Sequence, residues 1–361
     1  MDVNLNELLL GSGSERKTPL GHSIDKDARF LVTGGAGSIG RELTLQLLDN
    51  GASNVAIFDN SDERLRKAKK SVPPKFSKRI HVLLGDVCSS SDLKKAISVS
   101  TPDCVFHLAA LKHVDLAEQD PYGTYEVNVE GTFKLLKASA GVRRFMLMST
   151  DKSVFPAGLM GATKRMAELA VMSFARHYPK CDYSIVRSGN VIGTSGSALN
   201  RFVYQIENTQ EITVTHPKMA RFFISNVELA SLIICIVLGK HRKRGSSISY
   251  IVDCGRPISI VDVVRRITEY FGKKVVADNP GENELVIKFT GIRGGEKLEE
   301  KMHQSSDVID TDIEKIKIGL DDGFESTRLD LPNEFLSLPE SSTLYIDDLI
   351  SRFYAQLDAF S

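Results

Sequence analysis

The chain carries no excess charge of either sign. Its 46 basic residues are matched by 46 acidic ones, so no global field recruits nucleic acid or an anionic membrane. No nucleic-acid partner is expected. The basic run His241-Arg242-Lys243-Arg244 is short and reads as a solvated loop. Cysteine is sparse and odd in number: five residues, Cys88, Cys104, Cys181, Cys235 and Cys254, with no CxxC spacing. That pattern argues against a disulfide framework or a zinc site and fits reduced thiols, so no metal is expected. Long hydrophobic runs are missing too. The longest, residues 229–238, contains a serine and is too short to span a bilayer. The start of the chain lacks a signal-peptide layout, because Leu8-Leu9-Leu10 is brief and follows acidic residues. A cytoplasmic protein without membrane insertion is the expectation. There is also no internal repeat and no low-complexity block.

What remains is an ordinary globular composition, 361 residues with 42% hydrophobic and 25% charged side chains. That length suits one large or two modest domains with a real core. Residues 1–27 form an arm rich in Gly, Ser and charge, with one helical turn around Asn6–Leu10. The arm is expected either to be disordered or to dock on a partner subunit.

From Arg29 a rhythm of strand and helix sets in. Residues 29–33 read as a strand, Gly34-Gly35-Ala36-Gly37-Ser38-Ile39-Gly40 as a turn, and residues 41–50 as a helix stopped by Gly51. In that context Gly34, Gly37 and Gly40 allow a tight turn and let a pyrophosphate approach the backbone. The free N–H groups of Ser38, Ile39 and Gly40 at the helix N-terminus favour an anion. The plain alternative is a glycine-rich turn without a ligand. A second strand, 54–59, ends in Asp59, about twenty residues past the last glycine, where a carboxylate meets a ribose 2′-hydroxyl. This favours NAD over NADP, although Arg64 and Arg66 are close by; Asp59 can also serve as a helix N-cap.

A third strand, 80–84, runs into Gly85-Asp86-Val87, with Asp86 placed either for an adenine edge or for the turn itself. Strand 103–108 leads to small Ala109 and Ala110, which permit a cofactor to pass close, and then to Lys112 and His113 over the crevice. Asn128 falls in a long helix, where a buried amide linking helix to strand is the natural role. Strand 144–148 ends in Ser149-Thr150-Asp151-Lys152, and Met160-Gly161-Ala162-Thr163-Lys164 opens the next helix. An acid and an amine thus leave the carboxyl end of a strand, where open α/β sheets bind ligands; the bland reading is a charged, solvated loop. With a sixth strand at 183–187, the whole reads as an α/β protein with a doubly wound parallel sheet. The expected division is an arm (1–27), a dinucleotide-binding domain (28–190, with returns near 220–255), a smaller substrate-binding region (191–343) and a closing helix (344–361).

These motifs carry a family likeness. Residues 33–40, His107–Val114 and Asn128–Thr132 resemble the extended short-chain dehydrogenase/reductases, whose fold is of the Rossmann type. Within that group, Ser149-Thr150-Asp151-Lys152, Met160–Lys164, Val214-Thr215-His216-Pro217 and Gly291-Ile292-Arg293-Gly294-Gly295-Glu296-Lys297-Leu298 are similar to the nucleotide-sugar 4,6-dehydratases of polysaccharide biosynthesis. The usual tyrosine of the superfamily is replaced by Met160, as in one branch of these dehydratases. The family usually has proline at Gly294, and an arginine is common at Thr194-Ser195. The resemblance implies NAD-dependent dehydration of UDP-N-acetylglucosamine to a UDP-4-keto-6-deoxy sugar, by oxidation at C4, elimination across C5–C6 and hydride return to C6. A homo-oligomer, dimer or higher, is implied. Asp151 and Lys152 would supply the acid and base, Lys164 would hold the nicotinamide ribose, and Thr150 would relay a proton that Met160 cannot take. Asn190, Arg221 and Arg293 would meet the diphosphate, and Glu296 the uridine ribose. The rivals are a C5-inverting dehydratase or a C4 epimerase on a related UDP or GDP sugar, and a cofactor-binding regulatory protein without chemistry.

Overall fold

The computed structural model describes residues 4–319 apart from 14, 16, 22–23, 195, 240–246 and 304–307. The expected helix at 344–361, the acidic stretch 320–342 and the run 241–244 lie outside the described residues. A short helix α1 (Leu5–Leu10) is followed by β1 (Arg29–Thr33), α2 (Ser38–Asp49), β2 (Asn54–Asp59), α3 (Asp62–Ser71), β3 (Ile80–Leu84), α4 (Ser90–Ser100) and β4 (Cys104–His107). Then come α5 (Val114–Gln119), α6 (Pro121–Tyr125), α7 (Gly131–Ala138), β5 (Arg144–Thr150), α8 (Leu159–His177) and β6 (Asp182–Ser188). The remaining elements are β7 (Asn190–Ile192), α9 (Ala198–Asn208), β8 (Glu211–Val214), β9 (Ala220–Arg221), β10 (Phe223–Ser225), α10 (Asn226–Leu238) and β11 (Ser247–Val252). They end with β12 (Ile258–Ser259), α11 (Ile260–Tyr270), β13 (Lys274–Val276), β14 (Glu284–Phe289), β15 (Val308–Asp310) and β16 (Ile316–Gly319).

The main sheet has nine strands in the order β15-β16-β11-β6-β5-β4-β1-β2-β3. Successive strand residues face opposite sides, and the burial follows that period. Phe30, Val32, Val55, Ile57, Cys104, Phe106, Met146 and Met148 pack on one side with α2 and α10. Leu31, Ala56, Phe58, Val105, Phe145 and Leu147 pack on the other with α4, α7 and α8. Covering both faces is what a parallel sheet requires. The direction of winding reverses between β1 and β4, which pair directly although β2 and β3 intervene in sequence. A crevice at the carboxyl ends of the strands opens at that reversal.

The sheet is parallel from β3 to β11, but β16 runs antiparallel to β11, and β15 antiparallel to β16. The expected all-parallel sheet is therefore mixed at one edge, and chain well beyond residue 255 returns to it. Both added strands are three or four residues long and lack a helical crossover between them, so a local antiparallel pairing suffices. Residues 190–289 build their own small sheet, β13-β14-β8, plus the two-stranded pairs β10-β7 and β12-β9, around an apolar cluster of Phe202, Ile206, Ile212, Val263, Ile267 and Leu285.

Two further expectations change. The arm is not left free over α1: Leu9 is buried in this same apolar cluster, Arg266 Nη1 donates to Leu9 O at 3.2 Å, and Thr18 N donates to Ser231 Oγ at 3.0 Å. The expected long helix around Asn128 is instead α6, a five-residue π turn at Glu126–Glu130, and α7. That extra residue per turn places the Asn128 amide against Leu111, accepting from its N–H at 2.8 Å and donating to its carbonyl at 2.9 Å. The amide also donates to Thr163 Oγ1 at 3.1 Å. It therefore ties the loop after β4 to α8.

Candidate active site

The glycine turn forms because no other residue fits it. Gly34 has φ +64°, and a β-carbon there would lie 2.7 Å from Ala109 N, so the turn rests directly on the end of β4. A β-carbon on Gly40 would lie 2.5 Å from Gly34 O, so α2 starts close under the turn. Gly37 caps α2 without a side-chain bond, which leaves the first N–H groups of that helix open to an anion. Ser38 and Ile39 are half-buried at this terminus. At the end of β2, Asp59 is 6% exposed. Its Oδ1 accepts from Ser61 N at 3.1 Å and Arg64 Nη2 at 2.9 Å, while Oδ2 takes no bond among the described residues. Ser61, not Asp59, caps α3, and Arg66 pairs with Asp62 rather than facing the crevice.

Asp86 shapes its own turn, its Oδ1 accepting from Cys88 N at 2.9 Å. Val87 is buried in the core behind it, so only its backbone is available to a ligand. Ala109 and Ala110 are half-buried beside Gly34. Below them His107 is buried between Thr33 and Thr132. Thr132 Oγ1 donates to Asn128 O at 2.7 Å, so the contact at 2.9 Å is His107 Nε2–H donating to Thr132. The Thr33 hydroxyl then donates to Nδ1 at 2.7 Å. Burial, with the charge of Lys164 behind it, pushes the imidazole down to about 3.

Thr150-Asp151-Lys152 sits where β5 ends in a 3-10 turn, Asp151–Ser153. Thr150 Oγ1 donates to Asp151 Oδ1 at 2.9 Å and Lys152 Nζ donates to the same oxygen at 2.9 Å. Lys152 Nζ also donates to Asn190 Oδ1 at 2.9 Å. Asp151 is fully enclosed and its Oδ2 has no partner among the described residues, whereas the Lys152 side chain keeps 19% exposure. Of the pair, the amine faces the crevice and the carboxyl lies behind it. Cys254 lies near the same carboxyl. Burial raises its thiol to about 12 despite a hydrogen bond with the Gly189 backbone, and the Asp151 charge adds to the rise.

Met160 and Lys164 lie one turn apart on α8, on one face, and both are buried. Burial lowers the Lys164 amine to about 8 against the opposing charge of Glu168. Gly161 between them is dictated by contact, since a β-carbon would run into the Lys152 carbonyl.

The expected phosphate and ribose ligands are less convergent. Arg221 is buried and spends Nη1 on the carbonyls of Ala220 (2.8 Å) and Leu298 (3.0 Å). Glu296 caps its own turn, accepting from Arg293 N at 3.3 Å. Arg293 is exposed, 3.9 Å from Asp115. His113 packs against Gly196, and Lys112 is exposed at the same rim. Asn190 is the one of this set that joins the acid–amine pair.

Three residues were given no role from the sequence. Arg201 on α9 feels the charges of Arg293, Glu296 and Asp115. Lys297 donates to Val154 O (2.9 Å) and Phe155 O (3.2 Å) and pairs with Glu300 at 2.7 Å, strapping the 291–298 loop to the turn after Lys152. Glu168, four residues past Lys164, is fully buried. A lone carboxylate in the apolar run Met166-Ala167-Glu168-Leu169-Ala170 was the signal for it.

Residues 30–319 match the family described as polysaccharide biosynthesis protein. The capsular polysaccharide biosynthesis protein CapD of Staphylococcus aureus is 31% identical over 329 residues, 90% of this chain and 51% of that protein. The probable polysaccharide biosynthesis protein EpsC of Bacillus subtilis (strain 168) is 32% identical over 340 residues, 92% of this chain and 54% of that one. The chain thus spans about half the length of these curated relatives. Among solved structures, Pen from Bacillus thuringiensis superposes with a TM-score of 0.70 at 26% identity, over 81% of this chain and 86% of that one. UDP-glucose 4-epimerase of Thermus thermophilus in complex with NAD gives 0.63 at 21% identity, over 76% and 90% of the two chains. A dTDP-glucose 4,6-dehydratase of Streptomyces venezuelae with NAD bound gives 0.62 at 21%, over 76% and 88%; these last two likenesses bear on the fold. With its match over residues 30–319 and these relatives, the chain belongs to the polysaccharide biosynthesis protein family.

Proposed function

We propose that this chain is an NAD-dependent nucleotide-sugar 4,6-dehydratase acting on UDP-N-acetylglucosamine. The observation that carries the reading is the chain of contacts Thr150–Asp151–Lys152–Asn190 at the end of β5, beside a dinucleotide-type glycine turn. The residues suit NAD: Gly34, Gly37 and Gly40 with the open start of α2 for the pyrophosphate, Asp59 Oδ2 for the ribose, and Lys164 for the nicotinamide ribose. NAD held there would supply the hydride acceptor for C4 of the sugar and the hydride donor for C6.

The side chains then divide the proton work. The half-buried Thr150 hydroxyl donates to Asp151 and is the route by which the C4 hydroxyl proton reaches that carboxylate. This supplies the base that Met160 cannot be. Asp151 Oδ2 is enclosed, so the proton held by the carboxyl leaves by the way it came, through the Thr150 hydroxyl on Oδ1, to the C6 hydroxyl as water leaves. Lys152 donates to Asp151 and Asn190, and it is the amine that would take the C5 proton. After exchange with solvent it gives a proton back to C5 as hydride reaches C6, so the net change is loss of one water.

Incubating the purified protein with UDP-N-acetylglucosamine and weighing the product tests this. The expected product is lighter by one water and carries deuterium at C5 when formed in deuterium oxide. An isomer of unchanged mass would identify a C4 epimerase instead, and unchanged sugar would remove the reading.

A further inference from the structure

One buried carboxylate outside the acid–amine pair touches both flanks of it. Glu168 Oε1 accepts from Ser149 Oγ at 2.5 Å and lies 2.8 Å from Ser153 Oγ. These two serines bracket Thr150-Asp151-Lys152. Ser153 Oγ is also 2.7 Å from Thr150 O, so its single proton is shared between the turn's own carbonyl and Glu168. The carboxylate is fixed in turn by Arg187, through Nε to Oε1 at 2.9 Å and Nη2 to Oε2 at 2.7 Å, and by Arg165 Nη1 to Oε2 at 2.7 Å. Burial by itself would raise the Glu168 carboxyl; the two guanidiniums reverse that and hold it at about 2. It is therefore a permanent anion to which neutral hydroxyls are bound by charge-assisted bonds. The same helix meets the turn a second time, where Gly161 lies against the Lys152 carbonyl.

We propose that Glu168 is the positioning residue of the Asp151–Lys152 pair, clamping both ends of their turn through Ser149 and Ser153 and so setting the pair's register to Lys164 on the same helix. This rests on the dehydratase reading for its kinetic consequence, though not for its structural one. A structural ion triad would need only the two arginines. The two serine bonds converging on one oxygen are what connect the triad to the chemistry. Displacing an acid–base pair by about 1 Å costs on the order of 10²-fold in rate.

The test uses the full chain with its cofactor. Glu168→Gln leaves Arg165 and Arg187 without their anion and can fail to fold, so the deciding variant is the double Ser149→Ala/Ser153→Ala, which cuts the clamp and leaves the triad whole. Two readouts are taken. Amide hydrogen exchange of the peptide covering Asp151–Val154 is expected to speed up about tenfold or more, with α8 and β6 unchanged. With UDP-N-acetylglucosamine, kcat is expected to fall about 10–100-fold while KM and bound NAD stay within threefold; Ser149→Thr, which keeps the hydroxyl, is expected to retain most of the rate. Unchanged exchange at the turn overturns the clamp whatever the substrate. Faster exchange with unchanged kcat, or a kcat loss matched by equal loss of cofactor, overturns the positioning role. A wild-type protein that leaves the sugar nucleotide untouched while exchange still responds would sink the dehydratase reading and leave the clamp standing.

Discussion

At the scale of single residues, the site depends on which polar groups the fold buries. Asp151 is enclosed with one oxygen saturated and the other free; Lys152 covers it. Asp151→Asn and Lys152→Ala are each expected to lower dehydration turnover by about 10²–10⁴, the usual worth of a positioned proton transfer. Bound NAD should be retained, as read by product mass and by nucleotide released on denaturation. His107 makes a separate prediction. Its folded imidazole titrates near 3 against an ordinary 6.5, so as pH falls below 6.5 the unfolded chain takes up a proton that the folded chain refuses. Stability conferred above 6.5 is therefore lost on acidification, by roughly 1.5 kcal/mol between pH 6.5 and about 5 from this group. Urea midpoints measured across that interval should fall in the wild type. In His107→Gln the fall should be shallower by that amount, and an identical slope would show that His107 is not the proton-linked group.

At the scale of elements, close backbone approaches set the geometry. The glycine turn touches the end of β4 through Gly34, and its neighbours are backbone atoms that cannot swing aside. Gly34→Ala forces a left-handed backbone on a residue with a β-carbon and a clash with Ala109. The cost is about 1–3 kcal/mol, and the purified variant should carry little NAD. A variant that retains full cofactor occupancy would count against the turn as the pyrophosphate site. The strands of this half were legible because they are short, apolar and bounded by turn residues; β1, β2 and β3 lie where the alternation and glycines put them. β13 and β14 were not. Their partners are each other and β8, more than sixty residues upstream, and nothing in a six-residue stretch such as Glu284–Phe289 announces a distant mate. The π turn at Glu126–Glu130 was equally hidden, since its sequence is that of an ordinary helix and the insertion answers to the bonds of Asn128 with Leu111 and Thr163.

At the scale of the whole molecule, Lys297 ties the 291–298 loop to the turn after Lys152, far apart in sequence. Its amine meets two carbonyls beyond the acid–amine turn and the buried Glu300. Phe155 adopts φ +46° beside it. Lys297→Met is expected to destabilise the protein by about 1–3 kcal/mol, by leaving the buried Val154 carbonyl and Glu300 carboxylate without their donor. It should also expose the 291–298 loop to limited proteolysis and lower kcat/KM about tenfold. An unchanged cleavage pattern would show that the strap is not what holds the loop.

The sequence by itself determined the layered α/β plan, the glycine turn and the presence of an acid–amine pair at the end of β5. Those features are written locally: residue periodicity, glycines where a β-carbon cannot fit, and charged residues directly following an apolar strand. Tertiary structure alone decided what the charges do. Arg221 was expected to meet a diphosphate, and the packing of β9 against residue 298 turns it to backbone carbonyls. Glu168 was an unremarked helix position, and the approach of β5 and β6 makes it the anion on which Ser149, Ser153, Arg165 and Arg187 converge. Hydrogen bonds and desolvation depend on atoms brought within a few ångströms from distant parts of the chain, and that proximity is a property of the folded molecule.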